Sequence, residues 1–88
     1  MKRAIFPGSI FMDLVLLNTF LKVASVGSIT KAAAVLFVTQ SAVSRRIKQL
    51  EEQIGSPLFE RSGTHLKLTG TGSQLIEMGS RMLEIDFC

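Results

Sequence analysis

Two helical stretches, Ser28 to about Phe37 and Thr39 to about Ile54, are joined by nothing longer than the turn Phe37-Val38. A joint that short gives two helices no room to separate, so they must pack at a fixed angle inside one unit. The first stretch has Ser28 as a good N-cap and a one-face stripe of Ile29, Ala32, Ala33 and Leu36. Its run Ala32-Ala33-Ala34 lets a neighbouring helix come close. The second has Thr39 as its cap and an apolar stripe of Val43, Ile47, Leu50 and Ile54 at intervals of 4, 3 and 4. Gly55 sits where a helix commonly ends, and Pro57 follows where it cannot continue.

The flanks complete the pattern. Asp13 to about Ser25 reads as a helix, with Leu14, Leu17, Leu21 and Ala24 on one face, Phe20 beside them and Asp13 as N-cap or first-turn acid. Gly27 stops it. Residues 1–11 show no clean period, and Pro7-Gly8 reads as a turn, so they are expected to form an extension ahead of a domain that starts near Met12. Leu58–Arg61 and His65–Leu68 are short strand candidates around a hairpin turn at Ser62-Gly63-Thr64. Thr69 opens a last helix, regular after Gly72, whose stripe is Leu75, Met78, Met82 and Ile85 with Leu83 at its margin. The expected architecture is mainly α: a winged helix-turn-helix over 12–68, with a three-helix core and a small β-hairpin wing, then a linker helix over 69–88.

Several function classes drop out. The 88 residues make one small domain with a modest core. The single cysteine, Cys88, allows no internal disulfide and no Cys/His metal cluster, which fits a reducing, cytoplasmic setting. No apolar run reaches the roughly eighteen residues of a membrane span. Lys2 and Arg3 precede an apolar stretch as in a signal peptide, but Pro7, Gly8 and Asp13 interrupt it and no Ala-x-Ala follows. His65 has no partners for a triad or a metal. Gly70-Thr71-Gly72 matches only half of a dinucleotide fingerprint and reads as a turn opening a helix. No catalytic residue, metal or cofactor is expected.

The net charge is +3, and its distribution says more than its size. Positive charge forms two blocks, Arg45-Arg46-x-Lys48 and Arg61 to Lys67, separated by Glu51, Glu52 and Glu60. A polyanion would need both blocks on one face. The outer face of the second short helix suits a DNA major groove: Gln40 can pair with adenine, and Arg45 or Arg46 with guanine. Thr39, Ser41 and Ser44 are short donors for phosphates, with Lys48 further along and Lys31 on the preceding helix. Arg61 and Lys67 would lie along the backbone or in a minor groove. Glu51-Glu52 would repel phosphate, so that end should leave the groove as a solvated face. Taken singly, a basic helix face or a basic hairpin is more often just solvated; the order of elements favours the double-stranded DNA reading.

The chain also resembles a family. The matching pieces are Leu17-x-x-Phe20-x-x-Val23-Ala24, Gly27-Ser28-Ile29-Thr30-x-Ala32-Ala33-x-x-Leu36, Val38-Thr39-Gln40-Ser41-Ala42-Val43-Ser44-Arg45-x-Ile47-x-x-Leu50-Glu51, Gly55-x-x-Leu58-Phe59-x-Arg61 and Leu68-Thr69-x-x-Gly72. In this order and spacing they resemble the N-terminal domain of LysR-type transcriptional regulators. The resemblance implies a bacterial regulator that binds interrupted palindromes as a homodimer, the last helix pairing with its partner's copy. It implies DNA contacts at Thr39, Gln40, Ser41, Ser44, Arg45 and Arg61. Leu75, Met78, Met82 and Ile85, at heptad-like intervals of 3, 4 and 3, would form the dimer seam. Two departures stand out: Ser41 where the family usually has proline, and a wing tip without a basic residue. The family's effector-binding domain has no counterpart in these residues, so no small-molecule effector site is expected in them. The competing reading is an interaction fragment that dimerises with full-length relatives and binds DNA poorly.

Overall fold

The computed structural model describes the backbone of residues 7–62 and 65–83 and the side chains of residues 14–60 and 66–79. In chain order these form α1 (Pro7–Val26), α2 (Ile29–Leu36), α3 (Gln40–Ile54), β1 (Phe59–Ser62), β2 (His65–Leu68) and α4 (Gly70–Leu83). The architecture is the expected winged helix-turn-helix followed by a helix.

α1 differs from expectation at its start. Pro7-Gly8 forms the first turn of the helix rather than a separate turn, residues 7–11 continue it, and Asp13 lies inside it instead of capping it. Proline is tolerated there because the N–H it lacks would have no intrahelical partner. The buried face is also wider than one stripe. Leu16, Leu17, Phe20, Leu21 and Val23 are all buried, whereas Leu14 is exposed. The reason is position: α1 contacts α2, α3 and α4, so it needs apolar side chains on several sides.

The two short helices start and stop as read. Ser28 Oγ accepts the Lys31 N–H at 3.1 Å, and Thr39 Oγ1 accepts the Ala42 N–H at 3.0 Å. Gly55 closes α3 in the left-handed conformation at φ 87, its N–H on the Glu51 carbonyl at 2.7 Å. Ala32 and Ala33 of α2 and Val43, Ile47 and Leu50 of α3 join the α1 residues and Leu58 in one core. Ile54, assigned to that stripe, is instead exposed, because the chain turns away immediately after it.

β1 and β2 pair antiparallel, Phe59 with Leu68, Glu60 with Lys67, Arg61 with Leu66 and Ser62 with His65. The tip at Gly63-Thr64 lies outside the described residues. Phe59 ties the hairpin to the core by stacking at a tilt on Phe20, with ring centroids 5.3 Å apart.

α4 is regular from Gly70, three residues earlier than expected. Thr69 caps it: its Oγ1 accepts the Gly72 N–H at 3.0 Å and donates to the Pro57 carbonyl at 2.7 Å. Gly72 is buried where a β-carbon would lie 2.4 Å from the Leu58 carbonyl oxygen and 2.8 Å from Leu68 Cδ2, so only glycine fits. The seam read as Leu75, Met78, Met82 and Ile85 divides. Leu75 packs against the core together with Ile76, which lay outside the stripe. Met78 is 58% exposed. The Met82 side chain and Ile85 fall outside the described residues. No helix among the described residues is long and apolar enough to cross a membrane.

Candidate nucleic-acid interface

At 100° per residue, positions 40, 41, 44, 45 and 48 share one face of α3, and Gln40, Ser41, Ser44, Arg45 and Lys48 are all exposed there. The opposite face is held by Val43, Ile47 and Leu50 in the core. The outer face therefore cannot rotate away without unpacking the domain. At its N-terminal end, Thr39 spends its hydroxyl on the Ala42 N–H and lies 3.4 Å from Ser41 Oγ. Gln40 and Ser41 are the first two residues of α3, where backbone N–H groups have no intrahelical carbonyl to bond, and such groups favour an anion.

The hairpin stands beside this face. Ile29, Ser44, Ile47, Lys48, Glu51, Phe59 and Leu66 line a depression of about 300 Å³ between α3 and the wing. A second depression of about 300 Å³ shares Ile29, Ser44 and Leu66 and extends to Gly27, Ser28, Thr30 and Gln40. The start of α2, the N-terminal half of α3 and the wing thus meet on one surface. Ser28 and Thr30 were not among the residues expected at the site. Ser28 was legible as a cap, but its nearness to Gln40 and Ser44 comes only from the angle between α2 and α3.

Glu51 fixes the wing in place. It was read with Glu52 as part of a solvated face, but its Oε2 accepts the Leu58 N–H at 2.8 Å and its carbonyl accepts the Gly55 and Ser56 N–H groups. The carboxylate so ties the entry of β1 to α3. Glu52 is exposed.

The other basic residues divide. Arg46 turns away from the exposed face. It is half-buried, and its Nη1 donates at 3.2 Å to Oγ1 of the buried Thr19, which itself donates to the Val15 carbonyl at 2.8 Å. Lys31 is exposed on α2, outside the lining of the two depressions. Lys67 is exposed on β2 directly opposite Glu60, which offsets part of its charge. Arg61 lies in β1 opposite Leu66, and its side chain falls outside the described ones. Among the described residues no group of His, Cys, Asp or Glu could hold a metal ion.

Comparison with known proteins identifies the class. Residues 14–73 match the family described as bacterial regulatory helix-turn-helix protein, lysR family. The chain belongs to that family, and its fold is the winged helix-turn-helix of LysR-type regulators. It is 44% identical over 72 residues to the HTH-type transcriptional regulator HdfR of Yersinia pestis (strain Pestoides F), an alignment covering 82% of this chain and 25% of HdfR. The chain thus spans about a quarter of the length of the curated relatives it matches. Among solved structures, it is similar to the CbnR_DBD–DNA complex, with TM-score 0.77 and 35% identity over 82% of this chain and 83% of that one. It is also similar to a LysR-family regulator from Eggerthella lenta DSM 2243, with TM-score 0.72 and 39% identity over 75% of this chain and 94% of that one. The BenM_DBD/benA site 1 DNA complex gives TM-score 0.77 and 35% identity over 81% of this chain and 80% of that one.

Proposed function

We propose that this domain binds double-stranded DNA at chosen sites as part of a bacterial transcriptional regulator in the cytoplasm, with no enzymatic role. One observation carries the reading: α3 shows Gln40, Ser41, Ser44 and Arg45 on a single exposed face, locked by its buried face and flanked by the wing. That two of the similar structures are DNA complexes supports it. In this reading Gln40 and Arg45 read base edges, because an amide and a guanidinium can each make two parallel hydrogen bonds to one base. Thr39, Ser41, Ser44 and the N-terminal amides of α3 hold phosphates. Lys31, Lys48, Lys67 and Arg61 add backbone attraction. Arg46 acts as a positioning residue that sets the angle of α3 on α1 and is not a base contact.

The unit 12–68 is proposed as the DNA-binding part and 69–88 as a linker that pairs with its copy on a palindromic site. Met78, Met82 and Ile85 remain its candidate seam, and Leu75 supports the helix from the core side. Arg45→Ala should weaken binding to a selected site by ~1–3 kcal/mol and relax preference at one base pair. Titration of selected and scrambled duplexes tests this; equal affinities for wild type and variant on both would sink the assignment. A salt titration separates this reading from a DNA-poor interaction fragment, since phosphate binding falls steeply with salt.

A further inference from the structure

The turn between α2 and α3 is built on an unfavourable residue. Phe37 ends α2 in the left-handed region, at φ 59 and ψ 43. Among the described residues it is the one non-glycine with a positive φ. Its N–H reaches the Ala34 carbonyl at 3.3 Å, and the Val38 N–H reaches back to Ala33 at 3.0 Å. This backbone conformation closes α2 and aims the chain into α3, but it makes no demand for a ring. Glycine or asparagine adopts it at lower cost, because a branched or bulky side chain crowds the left-handed conformation. The fold gains nothing from the ring either, since Phe37 is 93% exposed. Strained backbone and a bare aromatic ring at one position point to a function outside the free domain.

The location indicates what covers the ring. Thr39, the N-cap of α3, follows two residues later, and the exposed Gln40 and Ser41 come next. Two residues span at most about 7 Å, so a helix whose N-terminus enters a groove brings this turn to the groove's edge. A phenylalanine ring has no donor for a phosphate. What DNA offers it is apolar surface, either deoxyribose edges or a thymine methyl.

We propose that Phe37 is an apolar DNA contact, its ring covering sugar edges or a thymine methyl beside the bases met by the first turn of α3. The inference rests on the DNA-binding reading above and adds to it a source of affinity that releases no counterions and is therefore insensitive to salt. The conformational cost of Phe37 in the free domain is kept because the ring works only in the complex.

The test uses Phe37→Asn and Phe37→Gly in the full 88-residue chain. Phe37→Asn should raise the melting temperature by roughly 4–8 °C, because the left-handed strain is relieved and no packing is lost. Both variants should bind a half-site about three- to tenfold more weakly than wild type, as expected for apolar area left uncovered. The slope of log affinity against log salt should not change. Glycine guards against asparagine supplying a new phosphate hydrogen bond. Deoxyuridine in place of the flanking thymines separates the two sources: a loss seen with wild type and not with Phe37→Gly assigns the methyl, and no loss assigns the sugar edges. Unchanged half-site affinity in both variants overturns the inference, as does a loss confined to self-association in sedimentation. A wild-type domain that shows no DNA binding removes the underlying reading itself, a result distinct from either.

Discussion

α3 and α4 are both amphipathic, yet they dispose of their apolar faces differently. Every residue of the α3 stripe except the terminal Ile54 is buried inside this chain, and the polar face is left to the outside. In α4, Leu75 and Ile76 turn to the core and Gly79 is buried where a β-carbon would meet Leu17 Cδ1 at 3.1 Å, while Met78 stays exposed. A helical stripe specifies a face and not the partner of that face. α3 has settled its partner, and what it shows outward is chemistry for a ligand. α4 uses part of its apolar surface at home and keeps part uncovered.

The hardest blow to this contrast is struck in α3. Ile47→Ala should cost ~2–5 kcal/mol of stability, because truncating a buried mid-stripe side chain leaves a cavity in the core that α3 packs on. Thermal unfolding checks it, and an unchanged melting temperature would mean that the inner and outer faces of α3 have been exchanged. Gly72→Ala tests the root of α4. Its β-carbon would press on the Leu58 carbonyl, which also accepts the Thr69 N–H at 3.1 Å, so the hairpin base must shift. A loss of ~1–3 kcal/mol is expected from such overpacking, read by urea denaturation.

Thr19→Val should be milder, about 0.5–1.5 kcal/mol for the lost hydrogen bonds. It frees Arg46 without removing a charge. Site affinity should fall while the salt slope stays constant, and Arg46→Met should behave alike. A salt slope reduced by about 1 in Arg46→Met would show instead that Arg46 touches a phosphate. Met78→Glu should have the smallest effect on the fold, within about 0.5 kcal/mol, since the side chain is on the surface. It should nevertheless weaken binding to a full palindrome more than to a half-site. Equal binding curves on the two sites for wild type and variant would remove α4 from the proposed dimer contact.

Much of this was legible because it is local. Ser28, Thr39 and Gly55 work as caps through their own backbone and side chain, so their types at those spacings were sufficient. The inner stripe of α3 followed from period alone. The outer face followed with it, and so did most of the candidate site. The departures share a different cause. Arg45 and Arg46 are adjacent and chemically alike, yet Arg45 is exposed and Arg46 is bonded to Thr19, 27 residues away in sequence. Glu51 and Glu52 separate in the same way once Leu58 is brought to one of them. Gly72 reads in sequence as part of a turn opening a helix, and only packing sets the Leu58 carbonyl against it.

The sequence by itself determined where the helices of the helix-turn-helix begin and end, which side of α3 is apolar, and that the chain carries a basic, amide-bearing helix next to a hairpin. Those are properties of neighbours within about four positions along the chain, where spacing maps directly onto geometry. Only the tertiary structure decided that Arg46 faces inward, that Glu51 anchors the wing, that Ser28 and Thr30 join the surface of α3, and that Phe37 stands bare. Each of these depends on which distant group, if any, packing brings within hydrogen-bond or van der Waals reach. A residue's own type sets what it can do, and its neighbours through space decide which of those things it does.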